Sequence, residues 1–316
     1  MDMKKPTVLI VGGAGYVGGA LTDLLLMRGF SVTVYDNLTF EDRYLKDVAF
    51  ILGDLREEAK LGKLLPAFDI VVWLAAVVGD AACALNPAHT EEVNVAAPRR
   101  LFGAVTGRLV YVSTASVYGI QNRLLGEDSQ TRPLSLYAQT KLAAEGLALA
   151  SRKGALVFRF GTLFGLGDRH SRPRFDLLVN RWAAEAARGE TIRVLGGEQW
   201  RSFLHVWDAA EAIAFGIEEN LRGLYNASGE NRRIRDVAVA MRAAVSRLRI
   251  EYGHLKEGDM RSYKVDSTKF RQCGWKPSHS LRDGAAEVIR AVREGRVKNP
   301  GAPLYSNVEY LKDKMV

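Results

Sequence analysis

Cysteine is scarce in this sequence: only Cys83 and Cys273 occur among its 316 residues. Their spacing does not match that of metal ligands, which argues against a disulfide framework and against a zinc site. No apolar run approaches the roughly 18 to 20 residues that a membrane span requires. Residues 1–6 lead straight into an apolar segment and leave no room for a signal peptide. These absences predict a protein of the reducing cytoplasm without a membrane partner.

The sequence also lacks any clustered charge. It carries 44 Lys and Arg against 36 Asp and Glu, a net charge of +8. The basic residues are dispersed and no basic run has interleaved aromatic residues, so we expect no nucleic-acid partner. A basic surface can equally attract an anionic small molecule. With 47% hydrophobic and 25% charged residues, the composition is that of an ordinary soluble globular protein.

Glycine is present where a nucleotide-binding turn needs it. An apolar, β-branched run over 7–11 predicts a buried strand, and apolar residues at helical spacing over 20–28 predict a helix. Between them lies the turn Gly12-Gly13-Ala14-Gly15-Tyr16-Val17-Gly18. In such a turn Gly12 permits the tight bend, Gly15 lets the backbone approach a pyrophosphate, and Gly18 lets the helix pack close to the sheet. The helix N-terminus would then face the phosphates.

An acidic residue completes this unit. Residues 31–35 are typical of a second strand, and Asp36 follows them directly. Its carboxylate can accept hydrogen bonds from both hydroxyls of an adenine ribose, whereas a 2′-phosphate would meet like charge. The unit therefore predicts NAD rather than NADP as the cofactor. A plain strand–turn–helix would leave three glycines and the acid unexplained.

Strands and helices alternate along the first half of the chain. Further strands are predicted at 48–53, 69–76, 108–114 and 155–160, and helices at 90–105 and 136–151. This alternation predicts an α/β fold, a doubly wound parallel sheet of the Rossmann type, with a second, smaller α/β lobe for the substrate. A glycine-rich loop at 161–173 marks the boundary. We expect an NAD-binding domain over 1–167, rejoined by about 198–220, and a substrate lobe over 168–316.

Several notable residues follow the ends of predicted strands, where ligands bind in open α/β sheets. Asp54 follows the third strand and can accept a hydrogen bond from an adenine amino group, or cap the next helix, and the two roles are compatible. Leu74, Ala75 and Ala76 end the fourth strand, and small residues there let backbone lie against a cofactor. Thr114 ends the fifth strand.

Tyr137 and Lys141 lie four residues apart at the start of a predicted helix, hence on one face. A tyrosine with a pKa near 10 is a poor base at neutral pH. A neighbouring ammonium, together with the positive nicotinamide ring of NAD, would lower the pKa of Tyr137. This pair follows the nucleotide-binding unit in sequence, and Thr114 lies at the end of the strand between them. That position supports a catalytic role for the pair.

Together these motifs resemble the extended short-chain dehydrogenase/reductase family, in its NAD-dependent sugar-nucleotide epimerase/dehydratase branch. The resemblance covers nearly the whole chain and rests on the glycine turn, Asp36-Asn37, Gly53-Asp54-Leu55, Leu74-Ala75-Ala76, Asn94, 113–119, Tyr137 with Lys141, and 201–208. It implies a catalytic triad of Thr114, Tyr137 and Lys141. It also implies that Asn94 orders its helix and a water near the lysine. Further NAD contacts are implied from Tyr16, Val17, Asn37 and Leu55.

The residues that follow Thr114 differ from the family pattern, and this difference limits the reactions that the protein is expected to catalyse. The 4,6-dehydratases of this family have an Asp-Glu pair directly after the catalytic threonine, and the decarboxylases keep the Glu. This chain has Ala115 and Ser116 at those two positions. The 3,5-epimerases place a cysteine in the same stretch, whereas Cys83 lies elsewhere. Without a carboxylate an elimination has no evident proton donor, so redox chemistry at one carbinol carbon is expected.

The resemblance then implies epimerisation of a nucleotide-diphosphate sugar, at C4, by transient oxidation to a 4-keto sugar and return of the hydride. The alternative is an NAD(P)H-dependent 4-ketoreductase of the same fold. A third reading is a redox-sensing NAD-binding protein without turnover. The intact Thr114, Tyr137 and Lys141 argue against that reading, since a sensor has no need of all three.

Substrate contacts are expected from the second lobe and from the end of the catalytic strand. Arg201 resembles the family's diphosphate-binding arginine, whose guanidinium can bind a phosphate through two N–H groups. Lys256 and Arg261 flank a stretch where the family also places a cationic contact, and Arg261 is favoured. The other expected substrate contacts are Thr114, Ser116 and Asn180. A solvated surface position is the alternative for Arg201, Arg261 and Asn180.

The predicted helices at 90–105 and 136–151 would lie side by side on one face of the sheet. In the family that the chain resembles, the equivalent pair packs against its copy as a four-helix bundle. The alanine and leucine content of both segments suits such close packing. A homodimer is therefore expected.

Overall fold

Residues 5–151, 154–245, 248–254 and 259–315 are described by the computed structural model. The strands are β1 (Thr7–Val11), β2 (Ser31–Asp36), β3 (Ala49–Leu52), β4 (Ile70–Trp73), β5 (Arg108–Thr114), β6 (Ile120–Leu125), β7 (Leu156–Phe160), β8 (Thr162–Phe164), β9 (Ile192–Leu195), β10 (Trp200–His205), β11 (Gly223–Ala227), β12 (Glu230–Arg233), β13 (Ile250–Gly253) and β14 (Ser262–Val265). The α-helices are α1 (Tyr16–Met27), α2 (Glu58–Leu64), α3 (Asp80–Leu85), α4 (Pro87–Glu91), α5 (Ala97–Leu101), α6 (Leu136–Leu149), α7 (Leu178–Ala187), α8 (Val206–Glu218), α9 (Ile234–Ala244), α10 (Thr268–Gln272), α11 (Leu281–Arg293) and α12 (Asn307–Met315).

The central sheet has seven strands in the order β11-β7-β5-β4-β1-β2-β3. All of its neighbouring strands pair in parallel. Val11 lies opposite Tyr35 on one side and Trp73 on the other. The strand order reverses between β1 and β4, and such a reversal opens a crevice at the carboxyl ends of the strands. The predicted doubly wound parallel sheet is therefore confirmed.

The strand β1 shows how both faces of the sheet are buried. Val8 and Ile10 belong to a core shared with α1 and α8, whereas Leu9 and Val11 belong to a core shared with α5 and α6. All four side chains are inaccessible to solvent. Burying an aliphatic side chain of this size contributes ~1.5–3 kcal/mol. The first strand therefore anchors the turn that follows it from both sides.

The chain leaves the central sheet after β7 and comes back to it at β11. The helices α7, α9 and α11 pack around β9 in a smaller region, through side chains such as Trp182, Met241 and Ile289. The helix α8 nevertheless packs with α1 in the core of the sheet, and β11 extends the sheet beyond β7. The segment that rejoins the central sheet therefore extends to Ala227, whereas the sequence predicted that it ends near residue 220. The division between 1–167 and 168–316 stays a prediction.

The structure differs from the sequence prediction in one helix and in several short strands. In place of one helix at 90–105, helical structure runs from Pro87 to Ala104 and includes a π-helical segment, Glu92–Ala96. The short strands β6, β8, β12 and β14, which pair outside the central sheet, were not predicted. Within the described part of the chain, none of the helices combines the length and apolar character needed to cross a bilayer.

Candidate active site

The glycine turn is shaped by close backbone contacts. Gly12 has a φ of +85°, and a Cβ placed there would lie 2.5 Å from the backbone nitrogen of Ala75. A Cβ on Gly18 would lie 2.6 Å from Cα of Gly13, so this glycine lets the helix pack against the turn itself. Gly13, which had no predicted role, faces the sheet, where a Cβ would meet Val34 at 2.8 Å. Only glycine fits these three positions.

The outer side of the same turn is open. A Cβ on Gly15 would meet nothing closer than 3.4 Å, in contrast to its neighbours. The helix α1 begins at Tyr16 with no side chain capping its first N–H groups and no acidic residue in its first turn. Uncapped N–H groups at a helix N-terminus bind phosphate well. The cradle therefore fits the pyrophosphate of a dinucleotide.

Asp36 ends β2 beside this cradle. Its carboxylate accepts hydrogen bonds from the N–H of Ala14, at 3.1 Å, and from the N–H of Leu38, at 2.8 Å. Burial raises the pKa of this carboxyl, and the two N–H groups oppose the rise. The acid that sequence analysis assigned to the ribose thus also braces the glycine turn.

Asp54 is held by its neighbours. Its carboxylate pairs with the guanidinium of Arg56, at 2.8 Å, and accepts a hydrogen bond from the amide of Asn37, at 3.0 Å. The hydrogen bond from Arg56 keeps the pKa of Asp54 well below its usual range. Glu57, and not Asp54, is the N-cap residue of α2, so the predicted capping role is wrong. Asp54 instead accepts from the N–H of Arg56 within the preceding turn.

One cavity of about 800 Å³ runs along the carboxyl ends of the central strands. Every residue predicted to bind the cofactor lines it: Gly12, Gly15, Tyr16, Val17, Gly18, Asp36, Asn37, Asp54, Leu55, Leu74, Ala75, Ala76, Tyr137 and Lys141. The predicted substrate contacts Thr114, Ser116, Arg201 and Arg261 line the same cavity. Its volume lies in the upper part of the range for ligand sites. The two predicted sets of contacts therefore belong to a single continuous site.

Thr114, Tyr137 and Lys141 meet at one end of this cavity. Thr114 ends β5, where its hydroxyl oxygen accepts a hydrogen bond from the N–H of Ser116 at 3.1 Å. Tyr137 lies in the first turn of α6, which is capped by the side chain of Ser135. Lys141 follows one turn later, is only 4% exposed, and has its Nζ 4.3 Å from the ring centroid of Tyr111. The structure thus brings the predicted triad together.

The pKa shifts of Tyr137 and Lys141 differ from what the sequence predicted. Burial raises the pKa of Tyr137 well above its ordinary value, and a hydrogen bond with Thr114 and the charge of Arg261 only partly oppose this. Burial also lowers the pKa of Lys141, from 10.5 to about 7. Desolvation disfavours the charged form of both groups. In the protein alone, burial therefore outweighs the predicted effect of the ammonium on the phenol.

Asn94 lies in the π-helical segment and holds two elements together. Its side chain accepts a hydrogen bond from the N–H of Val77, at 2.8 Å, and donates to the carbonyl of Val77, at 3.0 Å. It also donates to the hydroxyl of Thr140 on α6, at 3.1 Å. Asn94 does not line the cavity. It is a positioning residue that ties the loop after β4 to the helix carrying Tyr137 and Lys141.

Two arginines that line the cavity converge on Asp259. The Nη2 atom of Arg201 lies 2.8 Å from the Asp259 carboxylate, and Nε of Arg261 donates to it at 2.9 Å. Burial alone would raise the pKa of Asp259, but the two arginines hold it well below its usual range. Arg261 also donates to the hydroxyl of Ser116, at 2.6 Å, and pairs with Asp80, at 2.8 Å. These cations face the cavity and are not solvated surface residues.

Asn180 is placed differently from the sequence expectation. It is fully buried and does not line the cavity. Its side chain accepts from the N–H of Gly165, at 2.7 Å, and donates to the carbonyls of Gly165 and Arg174, both at 2.9 Å. The Tyr16 hydroxyl donates to the same Gly165 carbonyl, at 2.5 Å. Asn180 thus fixes the loop that packs on the start of α1, and the prediction of direct substrate contact is wrong.

Sequence reasoning missed other residues of the site. Asp80 accepts a hydrogen bond from Ser135, the N-cap of α6, at 2.6 Å and so links Arg261 to the helix that carries Tyr137 and Lys141. Arg172 and Asn307 line the cavity from far along the chain. No local pattern marks these three residues, because their partners are distant in sequence. Lys256 lies outside the described residues.

Comparison with known proteins agrees with this arrangement. Residues 8–227 match the model of the NAD dependent epimerase/dehydratase family. A UDP-glucose 4-epimerase of Rhizobium meliloti (strain 1021) is 25% identical over 313 residues, which cover 88% of this chain and 94% of that protein. UDP-glucuronic acid decarboxylase 2 of Arabidopsis thaliana is 27% identical over 310 residues, or 93% of this chain and 70% of that protein.

A solved structure agrees over the same length. MoeE5 in complex with UDP-glucuronic acid and NAD is 31% identical, has a TM-score of 0.78, and matches 92% of this chain and 99% of its own. The names of these relatives cover more than one reaction, so they define a family and not a single activity. The prediction of NAD from Asp36 is confirmed by the family. The chain belongs to the NAD dependent epimerase/dehydratase family.

Proposed function

We propose that this protein epimerises a nucleotide-diphosphate sugar at C4, by oxidation to a 4-keto sugar and reduction on the other face. The observation that carries the proposal is the meeting of Thr114, Tyr137 and Lys141 in one cavity with the glycine turn. The residues directly after Thr114 are Ala115 and Ser116, neither of which can act as a carboxylic acid. The site therefore has the groups for moving one proton at one carbinol oxygen and lacks an acid there for elimination.

The triad handles the proton. Tyr137 acts as a phenolate, which the Lys141 ammonium and the positive charge of bound NAD would stabilise. The phenolate oxygen takes the proton of the C4 hydroxyl as the C4–H bond breaks with loss of a hydride, and the phenol gives the proton back when the ketone is reduced. The hydroxyl of Thr114, which lines the cavity together with Tyr137, holds the same sugar oxygen. Lys141, which lines the same cavity, would hold the ribose next to the nicotinamide of bound NAD. Bound NAD supplies a hydride acceptor and a positively charged ring. Positioned proton transfer of this kind contributes ~10²–10⁴-fold to a rate.

The arginines hold the substrate while its sugar turns over. Arg201 and Arg261 face the cavity with one shared carboxylate, Asp259, between them. A diphosphate can take up their remaining N–H groups, since a guanidinium offers five donors in a fixed fork. Anchoring at the diphosphate leaves the sugar free to present either face to the cofactor. Because MoeE5 is described with both UDP-glucuronic acid and UDP-glucose, UDP-sugars are the first candidates.

The test is to incubate the purified protein with a panel of UDP-, GDP-, CDP- and dTDP-sugars and to separate the products. We expect one or more C4 epimers to form without net consumption of NAD. Tyr137→Phe should lower kcat by at least about 10²-fold and leave substrate binding intact, whereas Tyr252→Phe, at an exposed position, should have no effect. Full activity in Tyr137→Phe would refute the proposal.

The same experiment addresses the ketoreductase alternative. An epimerase regenerates its NAD within each cycle, whereas a ketoreductase consumes one reduced cofactor for each keto sugar. Protein that is purified with NAD and converts a sugar without added cofactor therefore supports the epimerase. Stoichiometric loss of NAD(P)H with a 4-keto sugar would assign the reductase instead.

We further propose a cytoplasmic homodimer. The helical run that contains α5 lies next to α6, as the hydrogen bond between Asn94 and Thr140 shows, so the two segments can pair with their copies as a four-helix bundle. Cys83 and Cys273 are both free, which suits a reducing compartment. Light scattering that finds a monomer at micromolar concentration would contradict the dimer, and fractionation of cells would test the location.

A further inference from the structure

The last described helix, α12, forms part of the cavity wall. Asn307 and Leu311 of α12 both line it. Asn307 is buried, and its amide donates a hydrogen bond to the carbonyl of Val78 at 3.0 Å. Val78 lies in the loop after β4, five residues beyond Trp73, where that strand ends. One end of the helix is therefore fixed to the loop after β4, which lines the cavity from Leu74 to Val78.

The other end of the helix is fixed beyond β2. The ring of Tyr310 packs on that of Phe40, with 5.4 Å between centroids. The ammonium of Lys314 donates to the carbonyl of Thr39, at 3.1 Å. Thr39 and Phe40 follow Asp36 closely in sequence. Because β1 lies between β2 and β4 in the sheet, a helix joined to both flanking loops must pass over the end of β1, where the glycine turn begins.

Arg172 fastens this helix from the side of the cavity. It is 8% exposed, and its guanidinium donates to the carbonyl of Leu304 and to the side chain of Asn307. The guanidinium carbon also lies 4.4 Å from the ring centroid of Phe40. The backbone N–H of Arg172 donates to Glu41, at 2.9 Å. One buried side chain thus connects the loop after β2 with residues on both sides of Tyr305.

We propose that residues 303–315, here called the strap, retain NAD in its site. A dinucleotide that extends from Asp36 across the glycine turn toward Tyr137 would lie beneath the strap and could leave only after the strap moves. Retention suits a reaction in which one cofactor molecule accepts and returns the same hydride. The inference rests on NAD binding, and its failure is distinguishable from failure of the proposed epimerisation.

The test measures the release of NAD from the full-length protein. Protein loaded with radiolabelled NAD is mixed with excess unlabelled NAD, and the label that stays bound is followed over time. We expect Asn307→Ala and Leu311→Ala to release NAD at least tenfold faster than the parent. Glu309→Ala is the matched control, because Glu309 is on the same helix but is exposed and pairs only with Lys312 among the described residues.

A second readout follows the strap itself. Amide hydrogen exchange over 303–315 should slow when NAD is added to the parent and should slow much less in Asn307→Ala. Release rates within twofold of the parent in Leu311→Ala and in folded Asn307→Ala would overturn the proposal, as would exchange that NAD does not change. If release accelerates but no nucleotide sugar is converted, the strap stands and the proposed reaction is wrong.

Discussion

Replacing Lys141 by methionine would separate the effect of this ammonium on stability from its effect on catalysis. Methionine has a similar length and volume but no charge. Lys141 is 4% exposed, and burial lowers its pKa from 10.5 to about 7. Between those two values the unfolded chain binds the proton and the folded protein does not. The free energy of unfolding therefore rises with pH across this window.

The magnitude follows from the two pKa values. A difference of about 3.5 pH units corresponds to about 5 kcal/mol of destabilisation once both states are protonated, well below pH 7. At pH 7 about 4 kcal/mol of this is present, and at pH 9 about 2 kcal/mol. We expect Lys141→Met to raise the free energy of unfolding by these amounts, while it lowers kcat by ~10²–10⁴-fold.

Urea unfolding of NAD-free protein, followed by circular dichroism at pH 7 and at pH 9, would measure this. Lys63→Met, at an exposed position on α2, is the control and should change stability by less than about 0.5 kcal/mol at either pH. The reasoning fails if Lys141→Met is no more stable than the parent at pH 7. It also fails if the difference between the two proteins is the same at both pH values.

Three further substitutions test the binding half of the site. Gly12→Ala should lower the free energy of unfolding by roughly 1–3 kcal/mol or more, because the new Cβ would meet Ala75 at 2.5 Å; urea unfolding measures this. Gly29→Ala also has a positive φ but open space around it, and should cost only ~1–2 kcal/mol. Asp36→Ser should weaken NAD binding roughly tenfold, through lost carboxylate hydrogen bonds, and reduce discrimination against NADP, as calorimetric titration with both cofactors would show. Arg201→Ala should raise the Kd for UDP by roughly 10–100-fold, since a hydrogen bond to a charged group contributes ~1.5–3 kcal/mol, again by calorimetry.

Each of these has an outcome that would contradict it. Equal losses of stability in Gly12→Ala and Gly29→Ala would show that contact with Ala75 does not matter. An unchanged preference for NAD in Asp36→Ser would remove the ribose role of that acid. For Arg201→Ala the control is Arg232→Ala, on the adjacent strand β12 and largely exposed, and an equal effect of both would point to general charge and not to a specific contact.

The cofactor half of the site could be predicted because its signals are local. The glycines of the turn and Asp36 lie within 25 residues of one another, and the surroundings of Gly12, Gly13 and Gly18 leave no room for a side chain. Tyr137 and Lys141 share a face of one helix because only four positions separate them. Short-range geometry of this kind is fixed by the chain itself, so motif and structure agree there.

The parts that were wrong or missed depend on distant partners. Asn180 was expected to contact the substrate, but its partner Gly165 lies across a loop whose fold the sequence does not specify. Arg261 meets Asp80, which lies 181 positions earlier. The pKa of Tyr137 is set by burial, which comes from how separate elements pack around α6. A residue-type pattern identifies the group but not the environment that tunes it.

The late position of β11 has a consequence for synthesis. About 60 residues separate the end of β7 from β11, and until they emerge from the ribosome the edge of β7 has no neighbour on that side. At roughly 5–20 residues per second, this hydrogen-bonding edge stays open for several seconds. An open edge is where nascent chains pair wrongly with one another. Slower translation through this interval should therefore increase aggregation of the newly made protein, and a chaperone that covers the edge should prevent it.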